Sequence, residues 1–331
     1  MTAFSKLIGQ QQAVELLTKA VSRNRIAPAY LFSGPVGVGR YLAAIEFSVL
    51  LLAGEHNSRL VRHKVETRNH PDLLQVEPTY LYQGKRFTEA QAQAEGLKRK
   101  AQPQIRVEQI RDITAFLSRP PLEASRAVVI IQAAHTMAEA AANALLKTLE
   151  EPGRATIILI APSPDSLLPT LVSRCQRIPF SRLAEAELKQ VLAQTDHSEI
   201  IEQETILAIA QGSPGEAIAT AEYLNNIPSH LLQKLDSLIR ESNSSLDTIE
   251  FAFNLAKEIS NTLEFSGQIW LVNYLQQCYW KQYLSNGFPL SIKANLKQLE
   301  TTRQMLLNYV QPRLVWEVTF LQLLQSTTFS I

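Results

Sequence analysis

Residues 29–41 read AYLFSGPVGVGRY and decide the fold of the first half of the chain. An apolar run typical of a buried strand comes first, and a glycine-rich turn follows, with Gly34 and Gly39 five positions apart. An apolar helical pattern then continues through Leu52. Strand, turn and helix in this order are the context of a Walker A loop, whose backbone N–H groups and helix N-terminus face phosphate. The stretch therefore predicts a phosphate-loop fold.

The rest of the first 180 residues alternates short apolar runs with helical patterns, which predicts a parallel sheet covered by helices. The predicted strands are residues 29–32, 73–76, 127–131, 156–160 and 176–179, and the clearest helices are residues 10–22 and 138–149. Beyond about Leu183 only helical patterns continue. We predict an α/β domain over residues 1–182, a small helical lid domain over 183–226 and an all-helical domain over 227–331.

The groups that an ATPase needs for hydrolysis are replaced in this sequence. Arg40 stands where the Walker A lysine would reach the β- and γ-phosphates, and Tyr41 stands where a serine or threonine would hold Mg²⁺. After the strand at 127–131, Gln132 and Ala133 occupy the two positions where a Walker B strand would offer aspartate and glutamate. The sequence therefore predicts no intrinsic ATP hydrolysis and no metal site.

Two interpretations of the degenerate loop stay open. In the first, Gly34, Gly37, Gly39 and Arg40 are kept only for turn geometry and helix packing. In the second, the same four residues retain some nucleotide binding. His135 follows the degenerate Walker B positions and is interpreted as a packing or capping residue.

Composition narrows the class of protein. The 331 residues carry 32 basic and 31 acidic side chains, so no global charge draws the chain to nucleic acid or to a membrane surface. Cys175 and Cys278 are its two cysteines, which excludes a disulfide framework and a four-thiolate zinc site. No apolar run has the length of a membrane span and no leader pattern is visible. We expect a cytoplasmic protein that does not contact membranes.

A polar segment over residues 80–104 interrupts the α/β half. Its cations are Lys85, Arg86, Lys98, Arg99 and Lys100, set against Glu89 and Glu95. Charge runs are usually solvated surface, so we predict an exposed loop or helical insertion. A DNA-contacting patch is the alternative.

The string AANALLKTLEEP at residues 141–152, with Ser173-Arg174-Cys175 further on, resembles a region shared by bacterial AAA+ clamp-loader subunits. Further similar stretches are residues 7–10, 29–35, 70–72 and 104–107. The resemblance covers the α/β half and the lid domain, and it weakens over the last hundred residues. It implies an AAA+ domain, a lid and a C-terminal oligomerisation domain.

Within this family the resemblance implies a subunit that does not hydrolyse ATP. Hydrolysing relatives would carry a polar residue where this chain has Ala161-Pro162 and an arginine where it has Gly215. Arg174 would act in trans, with Ser173 and Cys175 as its motif context, stabilising transition-state charge on a neighbouring subunit's ATP. The alternative for Arg174 is a surface or salt-bridged arginine. Cys175 is interpreted as a small buried hydrophobe.

The resemblance also implies the partners. These are the clamp-loader ATPase subunits (gamma/tau) and the delta subunit, and through the assembled ring of DNA polymerase III the sliding clamp and primer-template DNA. Leu314, Val318 and Leu321 lie at helical spacing in the domain proposed to assemble the ring. Many relatives carry a four-cysteine zinc module, and residues 53–69 have no cysteine, so we expect no zinc and no required cofactor. The alternative function is a nucleotide-binding protein or a weakly active AAA+ ATPase.

Overall fold

The computed structural model describes residues 4–54, 58–97, 102–240, 246–285, 290–308 and 310–328. Contacts divide the chain into two compact units: unit 1 contains Met1–Ser198 and Gly212–Gly215, and unit 2 contains Glu199–Gln211 and Glu216–Ile331. The division into three domains stays a prediction. The cations predicted at Lys98, Arg99 and Lys100 lie outside the described residues.

Unit 1 is built on a five-stranded sheet in the order β2-β5-β6-β1-β7, and every pairing between these strands is parallel. The strands of unit 1 are β1 (Ala29–Ser33), β2 (Leu73–Val76), β3 (Tyr80–Tyr82), β4 (Lys85–Phe87), β5 (Ala127–Ile131), β6 (Ala155–Ala161) and β7 (Gln176–Pro179). Every residue of β1, β5 and β6 is buried, as expected for parallel strands that are covered on both faces. The predicted parallel sheet is confirmed.

The helices in the described part of unit 1 are α1 (Gln11–Ser22), α2 (Arg40–Ala53), α3 (Ser58–Glu66), α4 (Glu89–Ala94), α5 (Val107–Leu117), α6 (Glu139–Glu150), α7 (Pro169–Val172) and α8 (Glu185–Gln194). Helix α3 occupies much of the cysteine-free stretch at residues 53–69 and packs on α2. Val61 and Val65 are its buried side, and Arg62 makes a two-pronged ion pair with the buried Glu46 of α2. Apolar contact and this ion pair hold α3 in place.

The polar insertion contains a β-hairpin, so the prediction of a loop or helix was wrong for residues 80–87. Strands β3 and β4 pair antiparallel around Gln83 and Gly84, which both have positive φ, as a tight two-residue turn requires. The hairpin is tied down by Arg86, which donates to Asp112 on α5 at 3.0 Å. Three-residue strands are too short to show an alternation in the sequence.

Asp72 organises the loop that leads into β5. Its buried carboxylate accepts the backbone N–H groups of Leu122, Glu123 and Ala124 at 2.7, 2.8 and 2.7 Å, and His70 Nδ1 accepts the N–H of Asp72 at 3.1 Å. Burial alone raises the pKa of Asp72, but the three backbone donors and His70 outweigh it and hold the pKa below its ordinary value of 3.8. The charged carboxylate therefore stabilises the fold.

We expect Asp72→Asn to lower the free energy of unfolding by about 2 kcal/mol at neutral pH, because the amide has one acceptor oxygen for the three backbone donors. The folded pKa lies below the unfolded pKa, so the carboxylate's contribution is present above pH 3.8 and is lost as pH falls through the lower folded value. Urea unfolding across this pH range should therefore show the difference between wild type and variant shrinking in acid. Asp112→Asn, at an exposed position, is the matched control. A difference that does not change with pH would contradict the role assigned to the charge.

Every secondary-structure element in the described part of unit 2 is helical. Its helices are α9 (Glu204–Ala210), α10 (Pro214–Asn226, which begins in unit 1), α11 (Ser229–Arg240), α12 (Leu246–Thr262), α13 (Phe265–Ser285), α14 (Leu290–Leu307) and α15 (Pro312–Thr328). Trp270 and Trp316 are buried in its core, and Leu321 packs against the same core. Leu314 and Val318 are 50% and 37% exposed, so the predicted apolar stripe is divided between core and surface. No described helix is long and apolar enough to cross a membrane.

Candidate functional site

The glycine-rich turn at residues 34–39, predicted to be a degenerate phosphate loop, lies at the carboxyl end of β1 and borders a cleft of about 520 Å³. The lining includes loop residues Gly37 and Gly39, both Arg40 and Tyr41, and Gln132 at the carboxyl end of β5. Crevices at the carboxyl ends of parallel strands are where α/β folds bind ligands. The structure thus brings the residues at the predicted Walker A and Walker B positions together in one cleft.

Two consecutive carbonyl groups of the loop accept hydrogen bonds from Ser213, just before α10, and from Gly215 in its first turn. Ser213 Oγ donates to the carbonyl of Val36 at 2.8 Å, and the N–H of Gly215 donates to the carbonyl of Gly37 at 3.0 Å. A Cβ atom on Gly215 would lie 2.7 Å from the Cα of Gly37, closer than packed atoms approach. The arginine expected at this position in hydrolysing relatives therefore cannot occupy this backbone arrangement.

Gln10 holds the third carbonyl of the loop. Its buried side chain donates through Nε2 to the carbonyls of Val38 at 3.3 Å and Ser181 at 2.7 Å, and its Oε1 accepts the N–H of Ser181 at 3.1 Å. The loop is thus tied both to the start of α1 and to the chain after β7. In the sequence, Gln10 is only part of a stretch that resembles the family. Its hydrogen bonds depend on the fold and have no local sequence signal.

Arg40 is buried and turned onto the protein's own backbone. Its Nη1 donates to the carbonyl of Ala161 at the end of β6, and burial lowers the pKa of Arg40. Ala161 stands where hydrolysing relatives are expected to have a polar side chain. An arginine is long and forked enough to reach that carbonyl from the first turn of α2. The Arg40 side chain therefore links the first turn of α2, which follows β1, to the end of β6 by a hydrogen bond.

The residues at the metal-binding positions do not fit a metal ion. The Tyr41 hydroxyl donates to Gln75 Oε1 at 2.8 Å, and Gln132 presents a neutral amide whose Nε2 has no partner among the described residues. Mg²⁺ prefers carboxylates and small hydroxyl or water oxygens. No group of three His, Cys, Asp or Glu side chains within the described ranges could hold a metal.

His135, interpreted from the sequence as a packing or capping residue, lines the same cleft. It lies in a short 3₁₀ turn, Ala134–Thr136, and its side chain is exposed. Partial loss of water where His135 lines the cleft, and the positive charge of Arg40, lower the pKa of His135. The imidazole is therefore neutral near pH 7.

Arg174 lies far from this cleft within unit 1. It follows α7 and precedes β7, whereas the phosphate loop follows β1, and these two strands are parallel neighbours. At about 3.3 Å per residue, the four-residue length of β7 separates the two ends by about 13 Å. The structure does not bring Arg174 to its own phosphate loop.

The side chain of Arg174 is 38% exposed and is held at two points. Its Nη2 donates to Glu150 Oε1 at 2.7 Å and its Nη1 donates to the carbonyl of Thr170 at 3.0 Å. Ser173 Oγ donates to the same carbonyl at 3.1 Å. Burial raises the pKa of the Cys175 thiol to about 12, which agrees with its interpretation as a small hydrophobe. Arg174 is therefore salt-bridged, as one of the two alternatives from the sequence has it. Its partner, Glu150, was not singled out from the sequence.

Comparison with known proteins identifies relatives along most of the chain. A family model described as "DNA polymerase III, delta subunit" matches residues 9–184, more than half of the chain, and one described as "Cyanobacterial DNA polymerase III delta prime, C-terminal domain" matches residues 186–323. The subunit delta' of Bacillus subtilis is 32% identical over 195 residues, 57% of this chain and 53% of that relative. The subunit delta' of Pseudomonas aeruginosa is 32% identical over 212 residues, 62% and 58% respectively. The chain thus spans little more than half the length of these relatives.

Among solved structures, a gamma subunit-related protein of DNA polymerase III from Thermotoga maritima superposes with a TM-score of 0.56 at 16% identity. The match covers 96% of this chain and 99% of that protein. At this identity the likeness shows the fold alone. The predicted fold class, a parallel-sheet α/β domain followed by helices, is confirmed.

Proposed function

Because this chain belongs to the delta-prime family of DNA polymerase III subunits, we propose that it serves the clamp loader without hydrolysing ATP. In this proposal Arg174 enters the ATP site of a neighbouring gamma/tau subunit, in a ring that also contains the delta subunit. The ring places the sliding clamp on primer-template DNA. The observation that carries the proposal is the contrast between two arginines. Arg40 is hydrogen-bonded inside the fold, whereas Arg174 is exposed at the opposite end of the sheet.

The state of the cleft supports the absence of hydrolysis. Hydrolysis needs a cation on the γ-phosphate, a metal ligand and a group that polarises water. Arg40 donates to Ala161, Tyr41 donates to Gln75, and Gln132 carries no charge. These contacts support the proposal that the cleft supplies none of the three groups.

The place of Arg174 supports a role in trans. Its guanidinium lies at the end of the sheet opposite to the phosphate loop, so it cannot serve its own cleft. An exposed arginine on a short helix end is available to a neighbouring subunit, and a guanidinium stabilises the charge that develops in phosphoryl transfer.

The first test compares ATP turnover by the isolated chain with turnover by the reconstituted loader. We expect the isolated chain, with Mg²⁺ and primed DNA, to show no turnover above a protein-free blank, while the loader that contains it turns over. Arg40→Ala is the control for trace activity, since contaminating ATPase would survive it. Turnover by the isolated chain that disappears in Arg40→Ala would show instead that the cleft is a weak ATPase.

Nucleotide binding without hydrolysis is a second candidate role for the cleft. A volume of about 520 Å³ is within the usual range of ligand sites, which favours this candidate. Equilibrium dialysis of the isolated chain against ATP separates the two roles. Saturable binding that Arg40→Ala weakens would support a nucleotide sensor, and no binding would support a loop kept for its shape.

A further inference from the structure

The arginine proposed to act in trans has two fixed contacts within its own subunit. Glu150, the last residue of α6, accepts from Nη2 of Arg174 at 2.7 Å, and the carbonyl of Thr170 accepts from Nη1 at 3.0 Å. The two acceptors come from different elements, α6 and α7. Together they fix the plane of the guanidinium as well as its position.

These two contacts leave most of the guanidinium available. An arginine carries five N–H donors, and two of them are used here, so three remain for a phosphate. The side chains of Arg174 and Glu150 are 38% and 53% exposed. Ion pairs this exposed stabilise a fold very little, so fold stability does not account for the contact.

We infer that Glu150 is a positioning residue for Arg174, which orients the guanidinium toward the neighbouring subunit's nucleotide before that subunit docks. The inference rests on the proposed function of Arg174. A long, exposed arginine samples many rotamers, and a group that is oriented in advance loses less freedom when it engages its target. The main effect of Glu150 is therefore on the rate of hydrolysis at the neighbouring site, with little effect on ATP binding there.

The test uses the full chain in the reconstituted loader and compares Glu150→Ala with Glu150→Gln. The ATP site of the neighbouring subunit that Arg174 enters is called the served site. We expect Glu150→Ala to lower the kcat of DNA-stimulated ATP hydrolysis there by roughly 10-fold with KM unchanged, because catalysis is sensitive to small misplacements of a catalytic group. Glu150→Gln keeps an oxygen acceptor at the same place and should stay within about 2-fold of wild type. Glu151→Ala removes the same charge at the next residue and is the matched control.

A double variant separates positioning from a general effect on the subunit. Because Glu150 acts through Arg174, adding Glu150→Ala to Arg174→Ala should cause no further loss of kcat. Melting temperatures should agree among all these variants, since the pair is exposed. A further loss in the double variant, or equal loss for Glu150→Gln and Glu150→Ala, would overturn the inference.

Failure of the inference is distinguishable from failure of the proposed function. If Arg174→Ala leaves hydrolysis unchanged, the role of Arg174 in trans is wrong. If Arg174→Ala abolishes hydrolysis at the served site while Glu150→Ala behaves like Glu151→Ala, only the role of Glu150 is wrong.

Discussion

We expect Arg174→Ala to lower ATP hydrolysis at the neighbouring subunit's site by about 10³-fold or more, with ring assembly intact. Removing a guanidinium that contacts the γ-phosphate in the transition state has effects of this size in other phosphoryl-transfer sites. The truncated side chain is exposed, so the subunit should fold and assemble normally. Rapid-quench measurement with primed DNA should show a smaller amount of ATP hydrolysed in the first turnover. The decrease should equal the amount that the neighbouring subunit's site hydrolyses in the wild-type loader.

Arg177→Ala is the matched control for this experiment. Arg177 is also exposed, on the edge strand β7, and its loss changes the charge of the same surface equally. It should leave the first-turnover amplitude at the wild-type value. An amplitude unchanged by Arg174→Ala, or lowered equally by both substitutions, would contradict a specific role for Arg174.

The largest expected effect on stability comes from Arg62→Ala, which should lower the free energy of unfolding by about 3 kcal/mol. Glu46 is buried with a side chain only 4% exposed, and Arg62 is its bidentate partner. Removing one partner of a buried pair leaves an uncompensated charge, for which losses of about 3–5 kcal/mol are typical. Arg62 itself is 28% exposed, so water can enter after truncation and the lower figure applies.

Urea unfolding followed by hydrogen exchange at the amides of α2 measures this loss in unit 1. Lys19→Ala breaks the exposed pair with Glu15 and should change stability by less than about 0.5 kcal/mol. Adding Glu46→Gln to Arg62→Ala should recover part of the loss, because the buried charge is then gone. A double variant no more stable than Arg62→Ala would show that apolar packing of the Arg62 stem is responsible.

Much of the sheet could be predicted from local sequence because β1, β5 and β6 are continuous apolar runs buried on both faces. The positions of Arg40, Tyr41, Gln132 and Ala133 beside the cleft could also be predicted, since each is defined by its distance from a strand or a glycine. The hydrogen bonds that give those residues their present roles could not. Arg40 reaches a carbonyl 121 residues away, and no periodicity or spacing encodes such a contact.

The same limit applies to the candidate site around Arg174. The sequence singled out the arginine through a motif. Glu150 was one residue of a longer similar stretch, and its contact with Arg174 depends on the packing of α6 near α7. Asp72 is a comparable case, since its three backbone donors belong to a loop about 50 residues later. Side chains whose partners are distant backbone groups leave no local pattern to detect.

The long-range hydrogen bonds that hold the predicted phosphate loop have a consequence for how the protein folds. Ser213 and Val36 are 177 residues apart, and Gln10 and Ser181 are 171 residues apart. Contacts that close such long stretches of chain form slowly, because loop closure precedes any gain from the contact. During synthesis β1 leaves the ribosome early, but its glycine-rich turn acquires its final shape only after the chain has been made through Gly215. The earliest motif in the sequence is thus among the last parts of unit 1 to mature.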